Sequence, residues 1–135
     1  MHPRSSRAGT APAVLTISAS DEDHASLARI LGPVNWRVLH ARTLAEGLAL
    51  LRRGAAPLAI CEDRLPDGDW RTVLEVSSRL PAPPLLIVSS PLANERLWAE
   101  VLNLGAYDLL LKPFDRQEVL RVSSLAWHQT LRQRA

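Results

Sequence analysis

An α/β fold, in which helices cover both faces of a parallel sheet, is predicted by three features of the sequence. Strand-like and helix-like segments alternate five times from residue 13 onward. Residues 58–61 are a short apolar run of the kind that a sheet buries on both faces, and residues 85–90 are the most strand-like segment of the chain. The connections are short, which is typical of strand–helix–strand units with right-handed crossovers. At 135 residues, 47% of them hydrophobic, the chain is long enough for one domain with its own core.

The first two strand–helix units have well-marked ends. Residues 13–18 form the first strand, and apolar residues at helical spacing predict a helix from about 22 to 31. Residues 36–41 form the second strand, and Thr43 is the N-cap of a helix that ends at Gly54.

Three further units follow at similar spacing. The third strand, residues 58–61, precedes a helix over 70–80, which the proline-rich segment 81–84 ends. The sequence then predicts a fourth strand at 85–90, a helix over about 94–104, a fifth strand at 106–111 and a last helix from 115 to about 132.

Five such units match the size of the flavodoxin-like (βα)5 doubly wound parallel sheet, whose strand order is 2-1-3-4-5. In such sheets a site lies at the carboxyl ends of the strands, beside the point where the strand order reverses. The polar residues predicted to meet there are Ser18 to Asp21, Glu62 and Asp63, Ser89 and Ser90, and Lys112, the only lysine of the chain.

With these residues in place, the chain resembles the response-regulator receiver (CheY-like) domains over about residues 13–129. Three motifs carry the resemblance: RLPDGDW after the third strand, the serine at the end of the fourth strand, and GAYDLLLKPF at the fifth. The resemblance implies a role in two-component (phosphorelay) signal transduction. We interpret the chain as a stand-alone, bacterial receiver.

The resemblance also implies five functional positions. In this family an aspartate four residues before the proline of the third loop accepts a phosphoryl group, and two acids after the first strand hold Mg²⁺ with it. A serine or threonine and a lysine bind the phosphoryl oxygens, and an aromatic residue three before that lysine moves on activation. Here Glu62 matches the phosphoacceptor position, and Ala19 and Ser20 match the acidic pair, with Asp21 one position late. Ser89 and Lys112 match the phosphate-sensing residues, and Leu109 matches the switch position. Pro66, Gly68 and Pro113 match the turns, and the resemblance implies a cis peptide before Pro113.

The altered positions oppose phosphorylation. Glu62 is one methylene longer than aspartate, and a misplacement of about 1 Å can lower a rate about 100-fold. Ala19 supplies no ligand for Mg²⁺, which is usually held by carboxylates and waters. Charge counting favours an ion pair between Glu62 and Lys112, with Ser89 as a further partner, in place of a metal ion. We therefore expect a degenerate receiver that acts by protein–protein contact, with no catalytic residue and no cofactor.

Other interpretations stay open at this point. A receiver that is still phosphorylated would use Glu62 or Asp63 with Mg²⁺, although a slip of one residue turns a strand side chain to the other face. A solvated loop acid is the less favoured alternative for Glu62. A small carboxylate-based enzyme is a remote alternative, because the sequence has neither a nucleophile elbow nor a glycine-rich phosphate loop.

The expected partners are signalling proteins, namely a histidine kinase or a downstream effector. A homodimer through the α4-β5-α5 face of the family is a second expectation, with Trp98 and Tyr107 as interface candidates; the alternative is that Trp98 packs against its own sheet. A net charge of +2 without a recognition helix argues against nucleic acid, and the lack of a long apolar stretch argues against a membrane.

The remaining features predict a cytoplasmic protein with short tails. Cys61 stands alone, so it forms no internal disulfide, and we expect a small buried hydrophobe. Residues 1–12 are predicted to be a disordered tail rather than a signal peptide, and residues 131–135 a C-terminal tail. The four histidines are scattered along the sequence and lack the spacing of metal ligands: His2, His24, His40 and His128.

Overall fold

The computed structural model describes residues 11–92 and 94–134. Its five long strands are β1 Ala13–Ile17, β2 Arg37–Ala41, β3 Leu58–Glu62, β4 Leu85–Ser90 and β5 Asp108–Leu111. Its α-helices are α1 Asp21–Leu31, α2 Leu44–Arg52, α3 Trp70–Ser77, α4 Glu95–Asn103 and α5 Arg116–Arg134. All five strands pair in parallel in the order β2-β1-β3-β4-β5, which confirms the predicted order 2-1-3-4-5.

Each helix starts where a short polar side chain satisfies the free amides of the first turn. Ser20 caps α1 by accepting from the amide of Asp23, and Thr43 caps α2 in the same way. Asp69, Asn94 and Asp115 do so for the other three helices. These caps let each helix begin within a few residues of its strand, so the loops stay short and the strand ends lie together.

The helices divide between the two faces of the sheet and bury a separate apolar layer on each. On one face α1 and α5 cover a layer that includes Leu27, Ile60 and Leu110. On the other face α2, α3 and α4 cover a layer that includes Trp70 and Leu109. Because side chains alternate along a strand, this division also decides which polar residues at the strand ends meet.

Two predicted boundaries are wrong. Helix α3 ends at Ser77 rather than near residue 80, because the amides of Arg79 and Leu80 bond three residues back instead of four. Helix α5 continues to Arg134, so residues 131–134 are helical rather than a tail. Residues 1–10 of the predicted disordered tail lie outside the described residues.

Three smaller features complete the fold. A two-residue antiparallel pair, Arg64–Leu65 with Gly68–Asp69, lies between β3 and α3 and was not predicted. The peptide between Lys112 and Pro113 is cis, as expected. Within residues 11–92 and 94–134, no helix is both long and apolar enough to cross a membrane.

Candidate functional site

A charged cluster lies at the carboxyl edge of the sheet, where β1, β3 and β5 end. Lys112 follows β5, and its ammonium lies 2.8 Å from Oε2 of Glu62, the last residue of β3. The same ammonium lies 2.8 Å from Oδ2 of Asp23, in the first turn of α1. The three side chains are largely buried, with exposed fractions of 13% for Lys112, 19% for Glu62 and 9% for Asp23. We call these three residues the lysine cluster.

Electrostatics within the lysine cluster favour the charged lysine. Burial lowers the pKa of Lys112, but its hydrogen bonds to Asp23 and Glu62, together with their charges, raise the pKa above the ordinary value. The ion pair expected between Glu62 and Lys112 is therefore present. Its third member is Asp23, and Ser89 does not take that place.

Ser18 links the two carboxylates of the lysine cluster. It follows β1, and its hydroxyl oxygen lies 2.7 Å from Oδ2 of Asp23 and 3.0 Å from Oε1 of Glu62. The same oxygen accepts the amide of Ser20 at 3.0 Å. The amide of Ala19 donates to Oε1 of Glu62 at 3.3 Å. Both oxygens of Glu62 are thus engaged by groups of the chain itself.

The residues that the sequence assigned to the acidic pair of the family do not supply the second carboxylate of the lysine cluster. Ala19 contributes only its amide, and Ser20 caps α1. Asp21 is exposed and pairs with Arg42, whose hydrogen bond and charge lower the pKa of Asp21. The acid is Asp23, because it begins the inward face of α1 that continues through Leu27.

Asp63 and the serines of β4 divide between the two faces of the sheet. Ser89 is buried and lies opposite Glu62 in the β3–β4 register. Ser90 is on the other face, and its hydroxyl donates to Oδ2 of Asp63 at 2.9 Å. The amide of Asp63 donates to the carbonyl of Ser89 at 2.9 Å. Asp63 therefore lies outside the lysine cluster, as the alternation of strand side chains requires.

The turn after β3 packs against α2. The carboxylate of Asp67 accepts the amides of Leu44 and Ala45 at 2.8 and 3.0 Å, and these bonds lower the pKa of Asp67. A Cβ on Gly68 would lie 2.6 Å from Cδ1 of Leu44, so glycine permits this close approach. The sequence identified Pro66 and Gly68 as turn residues but did not show that the turn is anchored to the next helix.

Comparison with solved structures places this geometry in a known fold. The chain matches a signal receiver domain from an HD domain-containing protein of Pseudomonas fluorescens Pf-5, with a TM-score of 0.82, 26% identity and 93% of each chain covered. It also matches a CheY-like receiver domain protein of Methanospirillum hungatei JF-1, with a TM-score of 0.81, 23% identity, and coverage of 91% of this chain and 98% of that one. The chain has the receiver-domain fold.

A further match is the beryllofluoride-activated NtrC4 receiver domain dimer, with a TM-score of 0.80 and 22% identity. It covers 87% of this chain and 98% of that one. No protein-family model matches the chain, and no curated protein does. The resemblance drawn from the sequence motifs is confirmed at the level of the fold.

The residues at this edge of the receiver fold do not fit Mg²⁺. That ion requires near-octahedral oxygen ligands, usually one or two carboxylates with waters. Here the ammonium of Lys112 already pairs with one oxygen of Asp23 and one of Glu62. Among residues 11–92 and 94–134, no three His, Cys, Asp or Glu side chains are grouped to hold a metal ion.

The α4-β5-α5 side of the receiver fold presents a groove in which apolar side chains lie beside charged side chains from all three elements. Trp98 on α4 is half exposed, and Leu111 at the end of β5 is exposed to a similar extent. Leu109, at the switch position, is buried in the core and also lines the groove. Tyr107 packs partly against the opposite layer of the core. Of the two alternatives for Trp98, the structure shows the exposed one, whereas Tyr107 is partly buried; a role of either in an interface stays a prediction.

Two other expectations concern Cys61 and the histidines. Burial raises the pKa of the Cys61 thiol, and the charges of Glu62, Asp63 and Asp69 raise it further, which agrees with an inert buried residue. The histidines are less scattered than expected, because the rings of His24 and His40 are in contact, with centroids 4.8 Å apart. Burial lowers the pKa of His40, and the charge of His24 lowers it further.

Proposed function

We propose that this protein is a receiver domain of two-component signalling in which Glu62 stands at the phosphoacceptor position and phosphoryl transfer is lost. It works by contact with other signalling proteins, a histidine kinase or a downstream effector, rather than by catalysis. The observation that carries the proposal is the position of the Lys112 ammonium, 2.8 Å from both Glu62 and Asp23.

The lysine cluster supports this proposal because the single ammonium of Lys112 pairs with both carboxylates and no metal takes part. Phosphoryl transfer depends on a positioned acceptor and on cations that neutralise the developing charge. Here Oε2 of Glu62 is bound to Lys112, and Oε1 lies beside Ser18 and the amide of Ala19. Attack on a phosphodonor by Glu62 would have to break these contacts. We infer that Glu62 holds the domain in one state.

The groove on the α4-β5-α5 side supports a role in binding. Its lining includes Leu109, Leu111 and the half-exposed Trp98. Large aromatic side chains of this kind often anchor interfaces. Because the similar NtrC4 receiver is a dimer, we propose that a second copy of this chain is one occupant of the groove. Light scattering after size exclusion should then give a dimer mass for the natural chain and a monomer mass for Trp98→Ala.

The test of the proposed function is intact-mass analysis after incubation with acetyl phosphate or phosphoramidate and Mg²⁺. A receiver domain with an intact aspartate, treated in parallel, shows that the phosphodonor is active. We expect no adduct of about 80 Da on the natural chain, because the acceptor is paired and the metal ligands are missing. An adduct on the natural chain would refute the proposal, and fragmentation would show whether Glu62 or Asp63 carries it.

The matched variant is Glu62→Asp, which shortens the acceptor by one methylene and keeps its charge. An adduct on this variant alone would show that side-chain length switched the chemistry off. If neither protein is modified, the block lies in the residues after β1, where Ala19 offers no carboxylate. Restoring acids there in Ala19→Asp/Glu62→Asp should then permit modification.

A further inference from the structure

A second polar cluster lies on β1, β2 and α1, outside the lysine cluster. Thr16 is buried in β1, and its hydroxyl oxygen lies 2.7 Å from Nδ1 of His24 and 3.0 Å from Nδ1 of His40. The two Nδ1 atoms are 3.0 Å apart. The parallel register places His40 directly opposite Thr16, and the first turn of α1 carries His24 over the same point. We call these three residues the histidine cluster.

The backbone fixes the tautomer of His24. Its Nε2 lies 2.7 Å from the carbonyl oxygen of Ser18, which can only accept, so Nε2 carries the proton and donates it. In the neutral ring Nδ1 therefore keeps its lone pair, directed toward Thr16 and His40. A histidine that donates its other ring N–H to a backbone carbonyl is the usual arrangement of a histidine bound to a metal. The ring of His40 is exposed, so its Nε2 can carry the proton and leave Nδ1 as a second donor atom.

The distances within the histidine cluster suit one metal ion. Suppose that both Nδ1 lone pairs point at one ion about 2.05 Å away and that each nitrogen lies about 1.15 Å from the centre of its ring. A separation of 3.0 Å between the two nitrogens then places the two ring centroids about 4.7 Å apart. The observed separation of the His24 and His40 centroids is 4.8 Å. The two rings thus converge as two ligands of one ion would.

The same distances can be compared with the donor spacings around different ions. The three donor atoms form a triangle with edges of 2.7, 3.0 and 3.0 Å. Around an ion with bonds of about 2.05 Å, neighbouring donors are about 2.9 Å apart in tetragonal or octahedral geometry and about 3.3 Å apart in tetrahedral geometry. The triangle is compatible with the tetragonal or octahedral geometry of Cu²⁺ or Ni²⁺.

We propose that His24 and His40 form a binding site for a late first-row divalent cation, with Cu²⁺ preferred and the Thr16 hydroxyl as a weak third donor. Imidazole is a good ligand for these ions, and Cu²⁺ is the tightest binder of the series. Because the site has only two nitrogen ligands and one exposed ring, the ion should exchange readily. Ser18 connects the site to the lysine cluster, since its carbonyl orients His24 while its hydroxyl lies beside Asp23 and Glu62.

The test is a titration of the full, untagged chain with Cu²⁺, followed by calorimetry and by electron paramagnetic resonance. The background variant is His2→Ala/His128→Ala, because a histidine next to the amino terminus can bind Cu²⁺ by itself. We expect one Cu²⁺ per chain, with hyperfine structure from two imidazole nitrogens. In this background His40→Ala should lower the affinity at least about tenfold and leave one imidazole nitrogen in the spectrum.

Arg37→Ala is the matched control, because Arg37 is exposed on the same strand as His40 and should leave the affinity unchanged. Thermal unfolding without metal shows whether each variant is folded, and His40→Gln replaces His40→Ala if the alanine variant is not. The absence of saturable Cu²⁺ binding in the background variant would overturn the proposal. An affinity that neither His40 variant changes would do the same.

Discussion

Replacing Lys112 with methionine removes the charge of the lysine cluster and keeps a side chain of similar length. Asp23 and Glu62 then lose two hydrogen bonds of 2.8 Å and face each other as like charges at sites that are only 9% and 19% exposed. Removing one partner of a buried ion pair costs about 3–5 kcal/mol. Because water still reaches part of Glu62, we expect about 3 kcal/mol, which corresponds to a fall in Tm of about 10 °C for a domain of this size.

Urea unfolding at pH 7 measures this loss, with Arg121→Met as the control. The side chain of Arg121 is 61% exposed and lies 4.0 Å from Glu118, so its replacement should change the stability by less than about 0.5 kcal/mol. Adding Glu62→Gln to Lys112→Met should recover at least about 1 kcal/mol, because one of the two unpaired charges is gone. If Lys112→Met is no less stable than Arg121→Met, the lysine cluster does not hold the site together as argued.

The same variant gives a prediction for alkaline pH. Since the pKa of Lys112 is raised above its ordinary value of 10.5, its stabilisation is complete below pH 10.5 and is lost as the pH rises through the higher folded-state value. The difference in stability between the natural chain and Lys112→Met should therefore shrink above pH 10.5. A constant difference up to the alkaline unfolding of both proteins would contradict the pairing of Lys112.

Three further predictions concern other parts of the chain. Asp67→Asn should lower the Tm at pH 7. The difference in Tm between the natural chain and the variant should diminish below pH 3.8, because the pKa of Asp67 is depressed and its stabilisation is lost as the pH falls through the folded-state pKa. A difference in Tm that stays constant at acid pH would contradict this prediction. Gly68→Ala should cost less than about 1 kcal/mol in urea unfolding, because its Cβ would meet only the end of the Leu44 side chain, which can rotate away, and Leu44→Ala in the same chain should remove even this cost. Cys61 should react with a thiol reagent in the native protein at least 100-fold more slowly than in urea, because the thiol is buried with a raised pKa, and fast native labelling would refute this.

The order of the strands could be predicted from the sequence because local signals agree with one another. Thr43 and Gly54 mark the two ends of α2, and the motif at Lys112 marks the end of β5. Right-handed crossovers then leave few ways to arrange five units. The pairing of Glu62 with Lys112 could be predicted for the same reason, since the ends of parallel strands meet at one edge.

Asp23 was missed because three acids follow one another and only helix phase shows which one faces inward. The signal was present: Asp23 lies four residues before Leu27 and seven before Ile30, so the three share one face of α1. The contact between His24 and His40 was not predictable in this way, since it depends on the register of β1 against β2. Register follows from packing of the whole sheet, which no short segment of sequence determines.

The central claim is that Lys112 pairs with both carboxylates of the lysine cluster, so that the site needs no divalent cation. Its most direct test is a Mg²⁺ titration followed by the backbone amide resonances of Ala19 and Glu62 and by the side-chain ammonium resonance of Lys112. Ala19→Asp/Glu62→Asp serves as the comparison, because it restores carboxylates at two positions where the family places them. We predict that millimolar Mg²⁺ leaves these resonances of the natural chain unmoved and shifts them in the comparison variant. Saturable shifts confined to these residues of the natural chain would show a working Mg²⁺ site and contradict the account.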